Sequence, residues 1–540
     1  MSAAPPSPID DDSASQIYDD ETPEAMETQA EVVPDSGEGG KLKMIMSLLK
    51  KCLGVKDIAA MRISLPASLL EPLPNLEYWT YLDRPDLFAA INDVEDPFLR
   101  MLAVIRFTFS KDLKFIRGKI CKPYNSVLGE HFRAHWDVIP AVYSQDSDEP
   151  PTQHLFVSFP ADPSQPDIGN KPSSLTPNIT TTKNGNRNSD TLSVRSSSSG
   201  KEKNRLSTSA SASPISQALL GESNLEAGIS NLSLGESDLD AKTGQLLEAD
   251  VAGGDRLRIV YLTEQVCHHP PISSWYATCP AKNMTASGVD QISAKVSGTS
   301  IRVGPGARNK GIFIKINGGP GAGERYKITH PAAYVNGILR GSPYATVSDS
   351  SIITVAGGKS NVTYRAIIEY KEESWLGKPQ FAVEGVIHIC KPEDTGYESW
   401  TRVKHVPRDR VVAQFEGSWK HLIRWKRTNE TEWKTLIDLS TLHVIPKSVR
   451  PLSIQQPNES RKLWEYVTSN LLKKEYSEAT KVKLAIEQRQ RDLALERKKK
   501  GIEFQPVYFE KNIDSGESFL TAEGQKAIDN ELAQVEADDH

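Results

Sequence analysis

The stretch QISAKVSGTSIRV, residues 291–303, is rich in Val and Ile and alternates apolar with polar residues over much of its length. Such alternation is typical of β-strands. Runs of the same kind recur along the chain, with Gly, Pro or Asn between them: RLRIVYL (256–262), GIFIKI (311–316), YRAIIEY (364–370), FAVEGVIHI (381–389) and HLIRWK (421–426). Many consecutive strands without intervening helices predict a large antiparallel sheet, which best avoids exposed edges by curling into a barrel. The predicted fold is therefore mainly β, in an α+β arrangement.

The bulk composition indicates a soluble protein. The 540 residues are 38% hydrophobic and 25% charged, with a net charge of -6, which gives no sign of nucleic-acid binding. The sequence lacks both a long apolar run that could span a membrane and the basic and apolar regions of a signal peptide, so a cytoplasmic protein is predicted. The five cysteines show no CxxC spacing, so neither a metal site nor a disulfide framework is expected.

Composition also divides the chain into segments. Residues 1–40 contain no Lys or Arg and are predicted to be a disordered acidic tail, and 511–540 are predicted to be a second acidic tail. Residues 146–254 are rich in Ser and Asn and are expected to form a disordered insertion, which either accepts phosphate or acts as a passive spacer. Helical patterns return only after Pro457.

A basic amphipathic helix is predicted from Lys41, in KLKMIMSLLKKCLGV. Its apolar residues fall on one helical face, while its lysines lie mostly off that face. The pattern is compatible with a helix that docks on its own domain, and also with one that contacts a membrane or acts as a lid.

Two adjacent histidines precede two adjacent prolines in TEQVCHHPPISSWY, residues 263–276. Pro270 restricts His269 to extended geometry, so the pair is expected on a rigid bend where both imidazoles can donate to one anion such as phosphate. A purely structural role is the alternative for His268 and His269. A Cys267–His nucleophile is disfavoured because adjacent strand residues face apart, and zinc would need further ligands.

Two further motifs carry basic residues. In CKPYNSVLGEHF, Lys122 and Asn125 bracket a proline that favours a turn, and Glu130 follows a glycine. This motif is weakly diagnostic when taken alone.

In the last predicted helix, Lys483, Glu487 and Arg491 are spaced i, i+4, i+8 and therefore lie along one face. Glu487 could hold both cations in place, and the two cations could then meet a phosphate. An ordinary solvated charged face is the alternative.

Together, EQVCHHPP, KPYNSVLGE and KLAIEQRQR resemble, in this order, the diagnostic elements of the oxysterol-binding protein related family, whose fingerprint is similar to E-Q-V-S-H-H-P-P. The resemblance spans roughly residues 42–509 and looks closest to fungal members without a pleckstrin-homology domain. It implies a lipid-transfer domain over 41–510: an incomplete antiparallel barrel around a hydrophobic tunnel, with an N-terminal lid helix and C-terminal helices. Cys267 and Ser126 replace a serine and a proline of the family pattern, and both are small enough to spare the site.

The resemblance also implies a ligand, phosphatidylinositol 4-phosphate, held at the tunnel mouth. Carried over by position, the headgroup ligands would be His268, His269, Lys122, Asn125, Lys483 and Arg491, with Glu130 and Glu487 ordering the basic groups. No catalytic residue, cofactor or metal is implied. The second lipid would be a sterol or, next, phosphatidylserine. A lipid-responsive scaffold without net transport is the alternative function.

The same resemblance implies where the protein acts. It would make peripheral contact with anionic membranes at endoplasmic reticulum, Golgi and plasma-membrane contact sites. The acidic peptide SQIYDDETPE, residues 15–24, offers a weak match to segments that bind an endoplasmic-reticulum receptor.

Overall fold

The computed structural model describes residues 70–117, 122–144, 148–152, 256–297, 299–337, 344–373, 379–390 and 396–533. The predicted N-terminal tail, the lid helix from Lys41 and most of the insertion over 146–254 lie outside the described residues.

A single antiparallel sheet of fifteen strands dominates the described chain. Twelve strands follow one path in the order β1-β2-β3-β4-β6-β7-β10-β11-β12-β13-β14-β15, and β5, β8 and β9 form an extension that pairs with β4. The strands are β1 His131–Val138, β2 Leu257–Cys267, β3 Ile272–Cys279, β4 Met284–Ser297, β5 Ser300–Pro305, β6 Ile312–Ile316, β7 Glu324–Ile328, β8 Ala332–Asn336, β9 Tyr344–Ser348, β10 Ser350–Gly357, β11 Thr363–Tyr370, β12 Ala382–Cys390, β13 Val411–Ser418, β14 Leu422–Arg427 and β15 Lys434–Asp438. The predicted antiparallel sheet is confirmed.

Helices lie at both ends of the described chain, as the α+β prediction requires. The α-helices are α1 Asn75–Tyr78, α2 Pro85–Ala89, α3 Pro97–Ser110, α4 Lys114–Arg117, α5 Ser460–Leu463, α6 Glu465–Leu472, α7 Tyr476–Lys500 and α8 Ala522–Leu532. Short 3-10 helices cover Ala90–Asp93, Pro280–Lys282, Tyr397–Ser399, Val403–His405, Arg408–Arg410 and Leu439–Thr441.

The barrel is incomplete because β1 and β15, the two ends of the path, do not pair with each other in the described sheet. The segment after β15 runs along the outer edge of β1 instead. Ser448 and His135 exchange two backbone hydrogen bonds of 2.8 and 3.0 Å, and the His131 amide donates to the Asn458 carbonyl at 3.1 Å. A segment that is not a strand therefore covers part of the edge of β1, which would otherwise be exposed at the gap in the barrel.

Helix α3 packs against the inner face of the sheet. Asp96 caps its first turn by accepting from the Leu99 amide at 2.9 Å, and Pro97 occupies the first helical position. Twelve of its fourteen residues are buried, so the helix is enclosed on nearly all sides. Its apolar residues share one cluster with inward-facing residues of strands along the whole path, from β1 to β15.

Two buried arginines fix α3 to opposite parts of the sheet. Arg100 forms a bidentate pair with Glu324 of β7, with N–O distances of 2.5 and 2.7 Å. Arg106 donates to the Leu436 carbonyl of β15 at 2.9 Å. Because bidentate guanidinium pairs are geometrically specific, they set the position of the helix as well as stabilising it.

The C-terminal region belongs to the folded unit. Ala527 and Ile528 of α8 pack in one cluster with Val260 and Leu262, which lie on the outer face of β2. The fully buried Glu531 accepts from Arg450 at 2.6 Å and contacts His135 Nδ1 at 2.8 Å. The predicted tail boundary at residue 510 is therefore too early, because a short apolar stripe within the acidic 511–540 segment finds a partner surface on the sheet.

The predicted start of the insertion at residue 146 is also too early. Asp148 accepts from Arg106 through its carbonyl at 3.1 Å and pairs with Lys434 at 2.7 Å, and Thr152 pairs with Val142. The boundary at 146 thus precedes residues that contact the barrel. Strand β1 pairs directly with β2, so residues 146–254 lie in the connection between two neighbouring strands.

Cavities of about 540 and 180 Å³ open at the surface of the described residues. Their walls carry many charged groups, including Glu95, Arg100, Glu324 and Lys359 in the larger cavity and Asp349, Glu369, Lys371 and Arg402 in the smaller. Neither is an apolar channel, so the hydrophobic tunnel stays a prediction.

Candidate functional site

Pairing between β1 and β2 joins the first two motifs. The Gly129 amide donates to the Gln265 carbonyl at 3.0 Å, and the Gln265 amide donates to the Glu130 carbonyl at 2.8 Å. The KPYNSVLGE loop therefore enters the sheet three residues before His268 on the neighbouring strand.

The histidine pair lies in the turn over 268–271 between β2 and β3. The two imidazole centroids are 4.4 Å apart, and both side chains are half-buried. The β2–β3 register shifts between Gln265 and Cys267, and such a bulge redirects the side chains that follow it. Cys267 is buried and its thiol donates to the His269 carbonyl at 3.5 Å, which does not favour a Cys–His nucleophile. The predicted bend is confirmed.

The KPYN loop, residues 122–125, has two exposed polar side chains above two buried residues. Lys122 Nζ donates to Asn125 Oδ1 at 2.6 Å, so these two predicted headgroup ligands contact each other. Between them, the buried Tyr124 hydroxyl lies 3.0 Å from Thr468 Oγ1, and its ring lies 5.0 Å from the Trp464 ring. The loop is thereby fixed to helix α6.

Glu130 is fully buried beneath this loop. It accepts from the Val127 amide at 3.0 Å, Ser460 Oγ at 2.7 Å and Trp464 Nε1 at 3.1 Å. Burial raises the pKa of its carboxyl to about 7, although these hydrogen bonds act in the opposite direction. The predicted role of Glu130 in ordering basic groups is not what its contacts show, because its three partners are neutral and connect the loop to α5 and α6.

Helix α7 carries the third motif. The Lys483 side chain is only 5% exposed and donates to Glu487 at 2.6 Å, as predicted. The exposed Arg491 instead donates to Gln488 Oε1 at 2.9 and 3.1 Å. The prediction that Glu487 holds both cations is therefore wrong for Arg491, because its guanidinium turns back towards the residue three positions earlier.

The N-terminal half of α7 packs on the KPYN loop. Ala479 shares a buried cluster with Tyr124, Val127 and Trp464, and Val482 is packed against the same cluster. Lys483 lies one turn after Ala479 on the same helical face. The helix that carries Lys483 is thereby held against the loop that carries Lys122 and Asn125.

The chain after α7 returns to the start of β1 and the end of β2. Gly129 has a φ of +77°, and a Cβ at this position would lie 3.3 Å from the Phe504 ring. The buried Glu264 carboxylate accepts from the Val507 and Tyr508 amides, both at 2.8 Å, and burial raises the pKa of this carboxyl. Residues 504–508 therefore lie over the junction between the first two motifs.

The structure thus connects all three motifs at one region of the sheet through their neighbouring residues. Sequence reasoning did not find the connecting residues Glu264, Ser460 and Trp464, although Glu264 lies within the quoted fingerprint. Convergence of the cationic groups on one ligand stays a prediction. Within the described ranges, no three His, Cys, Asp or Glu side chains are grouped so that they could hold a metal ion, and no helix is long and apolar enough to cross a bilayer.

Comparison with known proteins identifies the family. The family model for oxysterol-binding proteins matches residues 44–159 and 248–530. The chain belongs to the oxysterol-binding protein family. The two matched ranges leave out 160–247, which lies within the predicted insertion, and extend beyond the predicted boundary at 510.

Relatives of known name include oxysterol-binding protein-like protein 1 of Schizosaccharomyces pombe, which is 40% identical over 524 residues, covering 96% of this chain and 97% of the relative. Human oxysterol-binding protein-related protein 11 is 26% identical over 84% of this chain and 46% of its own length. The family fold is also found in the Osh1 ORD domain solved with cholesterol, with a TM-score of 0.52, 19% identity and coverage of 91% and 89%. The Saccharomyces cerevisiae Osh3 ORD solved with PI(4)P gives a TM-score of 0.50, 14% identity and coverage of 91% and 94%.

Proposed function

We propose that this protein binds phosphatidylinositol 4-phosphate and exchanges it for a second lipid between membranes. The headgroup site would comprise His268, His269, Lys122, Asn125, Lys483 and Arg491, with Glu487 orienting Lys483. Membership of the family supports the proposal, as do the solved family folds that contain PI(4)P or a sterol. The second lipid is a sterol in the first instance and phosphatidylserine in the second.

The observation that carries the proposal is the packing of α7 and the KPYN loop beside the histidine turn. Imidazolium, ammonium and guanidinium groups bind phosphate oxygens through charge-assisted hydrogen bonds. Lys483 is buried and paired with the half-buried Glu487, so a phosphate that approached it would meet a cation whose position is already fixed. A preformed cation loses less side-chain entropy on binding than a mobile surface lysine does.

The lipid chains would occupy the inner side of the sheet. Moving a hydrocarbon chain through water costs about 0.8 kcal/mol for each CH₂ group, so transfer requires an apolar container. Apolar inward-facing residues occur on strands along the whole path, which supports such a container. Movement of α3 away from the sheet, or widening of the gap between β1 and β15, would provide the volume that the lipid chains need.

The histidine pair supplies the first experiment. His268→Ala/His269→Ala should lose extraction of phosphatidylinositol 4-phosphate from liposomes, measured by sedimentation, while its circular dichroism stays unchanged. The matched control is His405→Ala/His421→Ala, which removes two exposed imidazoles far along the chain from the motifs. Undiminished extraction by the first variant would exclude the proposed headgroup site.

A transfer assay separates exchange from lipid sensing. A carrier moves labelled lipid catalytically between two liposome populations, whereas a scaffold that only senses lipid stops after about one equivalent. We also propose peripheral contact with anionic membranes at contact sites, with residues 15–24 as a receptor-binding peptide. Mass spectrometry of lipids that co-purify with the full chain would identify the second ligand.

A further inference from the structure

A cysteine, a histidine and an arginine lie together on the outer face of β11 and β12. His388 is the cross-strand partner of Arg365, and Cys390 follows two residues later on the same face of β12. His388 Nδ1 lies 3.8 Å from Cys390 Sγ, and its Nε2 lies 3.4 Å from Arg365 Nη1. This group is separate from the headgroup region and has no part in the proposed function.

Residues 397–400, which follow β12 in the chain, pack on His388 and Arg365. The Trp400 ring lies 5.4 Å from the His388 ring, and its carbonyl accepts from Arg365 Nη1 at 2.8 Å. The Tyr397 ring faces the Arg365 guanidinium at 5.8 Å. His388 is fully buried and Arg365 is 3% exposed, whereas Cys390 is half-buried.

The contacts assign the protonation of the imidazole. A guanidinium can only donate hydrogen bonds, so Nε2 of His388 must be the acceptor towards Arg365. The hydrogen of the neutral ring is then on Nδ1, which faces Cys390 Sγ at 3.8 Å and the Ile389 carbonyl at 3.5 Å. The histidine therefore presents an N–H donor to the sulfur, which favours the thiolate over the thiol.

Arg365 adds a buried positive charge beside the histidine and the cysteine. Its buried Nε atom has no hydrogen-bond partner in the part of the chain that the structure describes. Burial lowers the pKa of the Arg365 guanidinium. Nearby acidic groups raise this pKa, and Cys390 has the largest effect, followed by Tyr397 and Glu398. A desolvated cation beside a thiol is the environment in which cysteines become nucleophilic.

We propose that Cys390 is a modification site that forms a reversible mixed disulfide with a low-molecular-weight disulfide. The Cys390 thiolate attacks one sulfur of the disulfide, a new S–S bond forms, and the other half leaves as a thiolate. The incoming disulfide is the oxidant, and a second small thiol reverses the reaction. Arg365 and His388 act as positioning residues that stabilise the attacking thiolate.

The first test uses the reduced full-length chain and glutathione disulfide as the probe. Peptide mass spectrometry should find glutathionylation at Cys390 before it occurs at the buried Cys267 or Cys279. Iodoacetamide alkylation, followed for each cysteine against pH, should give Cys390 a midpoint below the value of about 8.5 that is typical of a free thiol. Cys279 is the internal control, because burial raises the pKa of its thiol to about 11.

Variants test the assignment of roles. His388→Leu removes the N–H donor and should slow alkylation of Cys390 near pH 7 by roughly tenfold, whereas His388→Gln keeps a donor and should preserve most of the rate. The groups facing the thiol that could shape its pH profile are Arg365, His388, Tyr397 and Glu398. If a variant fails to fold, the wild-type profile decides: a midpoint at or above that of a free thiol, or preferential modification of Cys267, would overturn the proposal.

Discussion

The buried Glu130 should make the protein less stable as the pH rises. Its carboxyl has a pKa of about 7 in the folded state, compared with an ordinary value of 4.5. Below pH 4.5 the group is protonated in both states and does not affect stability. Between 4.5 and about 7 only the unfolded chain loses the proton, so stability falls with rising pH, and above pH 7 the full cost persists. At about 1.4 kcal/mol for each pH unit in this window, ionised Glu130 costs the folded state about 3 kcal/mol at pH 8.

Glu130→Gln should remove this cost without breaking the hydrogen bonds. The Val127 amide and Trp464 Nε1 both donate to one carboxylate oxygen of Glu130, which the amide oxygen of glutamine can replace. Ser460 Oγ contacts the other oxygen at 2.7 Å and also lies 3.2 Å from the His131 carbonyl. The glutamine NH₂ can therefore donate to Ser460, whose hydroxyl donates to His131.

Urea unfolding, followed by tryptophan fluorescence at pH 5 and pH 8, measures the effect. The free energy of unfolding of Glu130→Gln, relative to wild type, should be greater at pH 8 than at pH 5 by about 2–3 kcal/mol. Glu432→Gln changes an exposed carboxylate in the same way and serves as the control. An identical difference at both pH values would refute the raised pKa, and a loss of stability at both would refute the hydrogen-bond exchange.

Two further substitutions test how the site is assembled. Gly129→Ala should lower the free energy of unfolding by about 1–3 kcal/mol, because this position combines a positive φ with a close approach to Phe504. Gly396→Ala is the control and should cost less, because Gly396 has a positive φ but open space around it. Equal losses in the two variants would exclude a contribution from the Phe504 contact. Glu264→Gln should cost about 1–3 kcal/mol, because an amide nitrogen cannot accept from one of the two N–H groups at 507–508. Hydrogen exchange at 507–508 should then accelerate, and unchanged protection would contradict this role of Glu264.

Strand periodicity predicted much of the sheet. The stretch 291–303 forms β4 and β5, and YRAIIEY and FAVEGVIHI form the adjacent β11 and β12. The order of strands along the path depends on contacts between distant residues, which a single sequence does not encode locally. Helix α3 escaped prediction because it is enclosed on nearly all sides and therefore lacks the polar face that marks an amphipathic helix.

The fingerprint motifs identified segments that the structure places together, whereas the headgroup ligands within them stay a prediction. The spacing of Lys483 and Glu487 predicted their ion pair, since residues one helical turn apart are neighbours whatever surrounds them. The partners of Arg491 and Glu130 depend on rotamers and on residues from other elements, so the predicted pairing of Glu487 with Arg491 was wrong and the neutral partners of Glu130 were not predicted. Trp464 carries no local pattern that would connect it to Glu130, more than 300 positions earlier.

The segment that covers the edge of β1 allows the barrel to widen at the gap between β1 and β15. Continuous ladders connect β1 to β15 the long way round. Across the gap, the described residues are joined by backbone hydrogen bonds from residues 448 and 458 to β1 and by side-chain hydrogen bonds such as those of Arg133 with Glu459. The circumference can widen there at the cost of those bonds, while every ladder stays intact. The same segment also covers backbone N–H and C=O groups of β1 that an exposed edge strand would offer to another molecule. One short connection therefore both permits the barrel to widen and protects the protein from self-association.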